Sequence, residues 1–221
     1  MRICFTSDLH GILPDIPKCE TLVIAGDICP RGNRDIGFQL AWLNKEFIPW
    51  TERQPCHRVV GCWGNHDSVG QSDPYLVPER LKFYTDKLVD INGLLFFFSP
   101  WQRVFHNWAF NLNEPDLDRK YSQIPHCHIL VTHGPPYGYG DLTALYDDNP
   151  VPEHVGSKML LSKIDDIKPL IACYGHIHSG YGLYRYGPSV LLNASLVDNH
   201  YHPKNKVFLF DVDQNKVIQV D

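Results

Sequence analysis

Short apolar runs recur along the chain: "RICFTS", "TLVIAG", "RVVGCW", "GLLFFFS", "HILVT", "LIACY", "SVLLNAS" and "KVFLFDV". Each is rich in Val, Ile or Phe or other apolar residues and is bounded by Gly, Pro, Asn or another polar residue. That is the pattern of strands rather than helices. Their apolar character is almost unbroken, so the strands are expected to be covered on both faces. Two other stretches carry helical spacing. In "RDIGFQLAWLNKEF", Ile36, Leu40, Leu43 and Phe47 form one apolar stripe. In "SKMLLSKIDDIKP", Leu160, Ile164 and Ile167 repeat it, and Pro169 marks the stop. Strands mixed with a few helices predict an α/β domain, a pair of sheets flanked by helices.

The polar residues that end these runs are not a random sample. "ICFTS" leads into Asp8 and His10, and "LVIAG" into Asp27. "VVGCW" is followed by Gly64, Asn65, His66 and Asp67, "ILVT" by His133, and "IACY" by Gly175, His176, Ile177 and His178. One Asp after a strand is ordinarily a turn residue or a helix cap. Five strand ends drawn from Asp, Asn and His call for another explanation, because ligand sites of α/β sheets gather at the carboxyl ends of strands. Imidazole nitrogen mixed with carboxylate oxygen suits Mn, Fe, Zn or Ni, whereas an all-oxygen shell suits Mg or Ca. Asp8, His10, Asp27, Asn65, His133, His176 and His178 are too many for one ion and fit two ions sharing a carboxylate.

The series D-x-H, GD, GNHD, HG and GHIH, in this order between Asp8 and His178, resembles the calcineurin-like metallophosphoesterase superfamily. The resemblance implies a four-layer sandwich of two mixed β-sheets flanked by helices. It implies one metal on Asp8, His10, Asp27 and His178 and a second on Asp27, Asn65, His133 and His176, with Asp27 bridging. Mn and Fe are the metals it favours, with Zn or Ni open. It implies hydrolysis of a phosphoester by a hydroxide shared between the metals. His66 is then the candidate to bind the phosphate and protonate the leaving group, and Asp67 to orient His66 through its other ring nitrogen. A narrower likeness lies in the short link "GILPDIPKCETLVIAG", whose two prolines discourage a long helix. With "SPWQRVFHNWAFNLN", "ILVTHGPPYGYGD", "GHIHSGYG" and "LLNASLV", it is similar to the metallophosphoesterase-domain-containing proteins, near the class III cyclic nucleotide phosphodiesterases.

In that branch the Trp-rich loop would line the substrate site. Trp101 or Trp108 would stack on a base and Arg103 would meet a phosphate, beside Asn65 and His66. The expected substrate is a small phosphodiester, cyclic nucleotides included. A phosphomonoesterase or protein phosphatase with the same metals is the alternative. A non-catalytic scaffold of the same fold is a reading from another class, opposed by the full ligand set.

Composition narrows the picture further. The 221 residues show no repeat or linker and read as a single domain over 1–221. The formal charge of −5 argues against a groove for long nucleic acid but not against a small anion beside bound metals. No run is long and apolar enough for a membrane span, and the N-terminus lacks the apolar core of a secretory signal. Seven scattered cysteines, odd in number, read as free thiols of a reducing, cytoplasmic compartment. Cys62 and Cys173 should sit beneath the metals as structural thiols. The family also implies that subunits can pair as a homodimer. His106, His126, His128 and His154 carry no assigned role, His200 and His202 read as a loop, and Asp147 and Asp148 as a solvated turn.

Overall fold

The eight apolar runs all contain strands. The computed structural model describes residues 1–143 and 151–219, so Asp147 and Asp148 lie outside the described residues. The first sheet holds β1 (Arg2–Thr6), β2 (Thr21–Ala25), β3 (Arg58–Cys62) and β4 (Lys82–Tyr84). The second holds β5 (Lys87–Ile91), β6 (Leu94–Ser99), β9 (Ile129–Thr132), β10 (Ile171–Tyr174), β11 (Gly182–Tyr186) and β12 (Ser189–Asn193). A small ribbon, β7 (Gln102–Arg103) with β8 (Asn111–Leu112), stands apart from both, and β13 (Phe208–Asp211) and β14 (Lys216–Gln219) return to the first sheet. The orders are β14-β13-β1-β2-β3-β4 and β11-β12-β10-β9-β6-β5. β1 to β4 run parallel, as do β12, β10, β9 and β6, with antiparallel strands outside them.

Side-chain alternation explains why the strands read as apolar throughout. Ile3, Phe5, Val23, Val60 and Cys62 meet Phe96, Phe98, Ile129, Val131, Ile171 and Cys173 between the sheets. The opposite face of the first sheet, with Cys4, Leu22 and Ile24, packs under Leu43, Phe47 and Trp50. The opposite face of the second, with Phe97, Leu130, Ala172 and Tyr174, packs under Leu117, Tyr121, Leu160 and Ile164. The result is the layered α/β/β/α sandwich.

The first helical stripe is not one uniform helix. α1 (Ile36–Trp42) opens on Asp35, which accepts from the Phe38 N–H at 2.8 Å. It passes through a π-helical turn, Leu43–Phe47, into α2 (Ile48–Arg53), and the Ile48 N–H reaches back to the Leu43 carbonyl. Pro49 accounts for the widening: its ring would press on the carbonyl of Lys45, and a five-residue turn relieves this. α3 (Ser68–Ser72) is a single short turn after the GNHD stretch. α4 (Glu114–Ser122) is not legible as a stripe, since it buries only Leu117 and Tyr121; its start is capped by Asn113, which accepts from the Asp116 N–H at 2.9 Å. α5 (Lys158–Ile167) is capped by Ser157 and stops at Lys168, whose φ is +47°. Between Asp8 and Asp27 there is no helix, as the prolines suggest. Among the described residues no helix is long and apolar enough to cross a membrane.

Candidate metal centre

The parallel strands β1, β2 and β3 of one sheet and β9 and β10 of the other each deliver a polar residue just beyond their carboxyl end. These residues converge. The His133 Nε2 lies 2.8 Å from Asn65 Oδ1 and 3.4 Å from Asp27 Oδ2. The His176 Nδ1 lies 2.8 Å from the same Asn65 oxygen. On the other side, His178 Nε2 is 3.3 Å from His10 Nε2 and 3.5 Å from Asp8 Oδ1. His10 Nε2 is 3.7 Å from Asp27 Oδ2, so Asp27 faces both groups. All seven sequence-derived ligand candidates therefore meet at one place.

The backbone holds them under strain. Asp8, His10, Asp27 and His176 have φ of +53°, +46°, +54° and +69°. Such conformations cost side-chain-bearing residues about 1–3 kcal/mol each and persist where surrounding contacts impose them. Here the contacts are specific. The His176 N–H donates to both Asp8 carboxylate oxygens at 3.1 and 3.0 Å, and the His66 N–H to Asp27 Oδ1 at 2.7 Å. The Ser195 hydroxyl donates to Asp8 Oδ2 at 2.8 Å. Two motif glycines make room. A Cβ on Gly64 would sit 2.2 Å from Asp27 Oδ1, and one on Gly175 2.0 Å from Asp8 Oδ2. Gly175 is thus needed for close approach to Asp8, and its carbonyl also accepts from the Ile177 N–H at 2.8 Å in a tight turn through His176.

Electrostatics and donor geometry both fit a cation. Burial alone would raise Asp27 and Asp8. The neighbouring histidines outweigh it, His133 foremost for Asp27 and His178 for Asp8, and hold both carboxyls below their ordinary range. His133 responds in the opposite sense: burial opposes its charge, Asp27 prevails, and the imidazole is pushed up to about 9. Burial takes His10 and His176 down to about 3, with His133 adding to the effect at His176. The ring tautomers follow from carbonyl partners, which can only accept. His133 Nδ1 donates to Ala25 O at 2.9 Å and His178 Nδ1 to Asp198 O at 3.1 Å. In each ring the remaining nitrogen, Nε2, then points among oxygens or another imidazole. These positions call for a proton or a metal ion between them. The second-nitrogen hydrogen bonds to backbone carbonyls are those that orient metal-binding histidines, and the nitrogen and oxygen donors suit a transition metal.

The remaining sequence-derived residues divide. His66, 8% exposed, lies between His10 and Trp108, with ring centroids 4.6 and 4.1 Å away, and its Nε2 is 4.0 Å from Asp27 Oδ2. Asp67 does not orient it. Its carboxylate accepts from the N–H groups of Gly64 (2.8 Å), Cys29 (2.9 Å) and Ile28 (3.3 Å), and no hydrogen bond joins it to the His66 ring. Three backbone donors occupy its oxygens, so it ties the GNHD turn to the loop after Asp27. Burial first, and then Asp27, push its carboxyl up to about 7.

Trp101 is likewise not a substrate platform. Its indole N–H donates to Asp86 Oδ2 at 2.8 Å, and the Lys120 ammonium lies 4.7 Å from its ring centre. Arg103 does line the cleft above the centre, a space of about 350 Å³ that also takes in His66, Phe105, Val155 and Tyr201. Trp108 does not line that cleft either, but it touches the site through His66, with ring centroids 4.1 Å apart. Sequence reasoning offered Trp108 as the alternative to Trp101 but missed Ser195 and Tyr201; the latter is hidden between His200 and His202, whose N–H groups both cap Asp198 Oδ1. Cys62 and Cys173 sit in the core between the sheets, and burial raises both thiols.

Comparison with known proteins agrees with this geometry. The family described as calcineurin-like phosphoesterase matches residues 1–207. Metallophosphoesterase domain-containing protein 1 of Homo sapiens is 29% identical over 96% of this chain and 71% of its own length. A crystal structure of TT1561 of Thermus thermophilus aligns over 100% of this chain and 98% of its own, with a TM-score of 0.60 and 13% identity. The structure of a novel archaeal phosphodiesterase aligns over 100% and 99%, with a TM-score of 0.54 and 15% identity. At such identities the two structures speak for the fold alone.

Proposed function

The chain belongs to the calcineurin-like phosphoesterase family, and from that premise we propose that it is a two-metal phosphodiesterase of small diesters, cyclic nucleotides among them. The observation that carries this reading is the convergence of His133 Nε2, His176 Nδ1 and Asn65 Oδ1 beside the shared carboxylate of Asp27. In this reading Asp8, His10, Asp27 and His178 would hold one ion and Asp27, Asn65, His133 and His176 the other. Mn or Fe is favoured from the resemblance, and the donor set also accommodates Zn or Ni. When bound, such ions acidify water and offset charge on phosphoryl oxygens.

The chain's own groups would do the rest. Asp27 keeps Oδ1 engaged by the His66 N–H at 2.7 Å, which leaves Oδ2 turned toward His10, His66 and His133. The His66 ring borders the cleft and would deliver a proton to the departing alkoxide, a role worth roughly 10²–10⁴ in rate. Arg103 is the one Arg or Lys among the described residues lining the cleft, beside Val104, Phe105 and Val155. Beyond the metals, the cleft would offer a single Arg, an opposing Glu153 and an apolar wall, which suits a monoanionic diester with an organic leaving group better than a dianionic phosphate.

Initial rates on bis(4-nitrophenyl) phosphate and 4-nitrophenyl phosphate with added Mn²⁺, beside an Asp27→Ala control, test the reading. Diester turnover should exceed monoester turnover, and both should vanish in the control. A monoester preference would replace it with a phosphatase. Metal-free, inactive protein would favour a scaffold.

A further inference from the structure

Two arginines of the loop after β2 stand in the same relation to the centre. The Arg31 guanidinium lies 3.9 Å from the Tyr201 ring centre, and that ring packs edge-on against His10 and His178 at 4.8 and 5.2 Å. The Arg34 guanidinium lies 4.8 Å from the Trp108 ring centre, and that ring packs on His66 at 4.1 Å. Cations over aromatic faces are attracted to them. The loop that carries both arginines is pinned at its root, where the N–H groups of Ile28 and Cys29 donate to Asp67.

The aromatic partners are also held in place. Tyr201 has φ of +63°, in a turn whose Asp198 Oδ1 accepts from the N–H groups of His200 and His202 at 2.8 and 3.0 Å. The Asp198 carbonyl faces His178 Nδ1. One turn therefore orients His178 through a hydrogen bond and covers it with a ring. His10 needs the cover more. Its buried Nδ1 has no hydrogen-bond partner, so no polar contact on that side sets the ring plane. Trp108 is placed by its neighbours: the Ala109 N–H donates to Asn65 O at 3.2 Å, and Arg34 donates to the Asn107 carbonyl.

We propose that the loop carrying Arg31 and Arg34 is a two-armed clamp, in which Arg31 presses Tyr201 on His10 and His178 while Arg34 presses Trp108 on His66. Tyr201 and Trp108 are positioning residues with separate duties. The first governs how firmly one metal position holds its ion, and the second governs the aim of the proton donor. The inference rests on the two-metal reading and adds that the two positions respond differently to substitution.

Calorimetric titration of chelator-stripped protein with Mn²⁺, together with steady-state kinetics, separates the arms. Tyr201→Ala should weaken one of two ions by roughly 10–100-fold and spare the other, the range typical for groups that orient metal ligands. Tyr201→Phe keeps the ring and should bind as the wild type does. Trp108→Ala should retain both metal affinities and lower kcat by about tenfold with little change in KM, and Trp108→Phe should restore much of it. Arg31→Gln, at an exposed position, should reproduce part of the Tyr201→Ala loss without touching the core. Wild-type affinities in Tyr201→Ala, or loss of metal in Trp108→Ala, would overturn the clamp. A wild-type protein that binds no Mn²⁺ would instead overturn the two-metal reading.

Discussion

The two halves of the centre are built to different tolerances. Around Asn65, His133 and His176, imidazole nitrogens already lie 2.8 Å from one shared oxygen, and Ala25 fixes the back of His133. Around Asp8, His10 and His178 the corresponding separations are 3.3 to 4.0 Å, and one His10 nitrogen has no partner. The first group is set by strand ends and their immediate neighbours. The second also depends on the turn at Asp198 and the loop at Arg31. Ligands fixed by rigid elements need less reorganisation on binding than ligands fixed through loops. Chelators should therefore strip the His10–His178 position first.

The largest effect that could break this comparison belongs to Asp27, which serves both halves. On the two-metal reading, Asp27→Asn should lose both ions and lower turnover by more than about 1,000-fold, since bound metals would supply several kcal/mol of transition-state stabilisation. Elemental analysis of the purified variant, with initial rates, checks it. Next comes His66→Ala, expected to reduce turnover by roughly 10²–10⁴ while metal content stays at the wild-type level. Loss of metal in that variant would show that His66 is a ligand rather than an acid.

Gly175→Ala removes no ligand, yet its Cβ would meet Asp8 Oδ2, so metal should leave the looser half first. Overpacking of this kind costs about 1–3 kcal/mol, readable as a lower denaturant midpoint. Ser195→Ala withdraws one hydrogen bond from Asp8 and should weaken the same position by about tenfold in a Mn²⁺ titration. The smallest effect on chemistry is expected at Trp101. Trp101→Phe should leave turnover unchanged and cost about 1 kcal/mol of stability through the lost bond to Asp86. A kinetic loss at Trp101 rather than at Trp108 would reverse the assignment of the two tryptophans.

The candidate ligand set is legible in the sequence because a metal would demand particular residue types, and the fold places each just past a strand whose apolar run announces it. The eight buried strands are legible for the same reason. Strands with one wet face are not: β5 and β11 alternate between covered and open positions, and "GLYRY" gives no apolar run. α4 escapes because only two of its side chains reach the core. Asp67 is misread from its place next to His66. Its partners, the N–H groups of Ile28, Cys29 and Gly64, include two brought close only by folding. Tyr201 is invisible for a related reason: its neighbours Arg31, His10 and His178 are remote in sequence, and no local pattern records the contact.

The most direct measurement is an anomalous difference map from crystals grown with Mn²⁺. Two metal ions predict two peaks about 3.5–4 Å apart, the spacing of two-metal sites, on either side of Asp27, with the stronger beside Asn65, His133 and His176. A single peak, or peaks away from Asp27, would contradict a shared carboxylate between two ions.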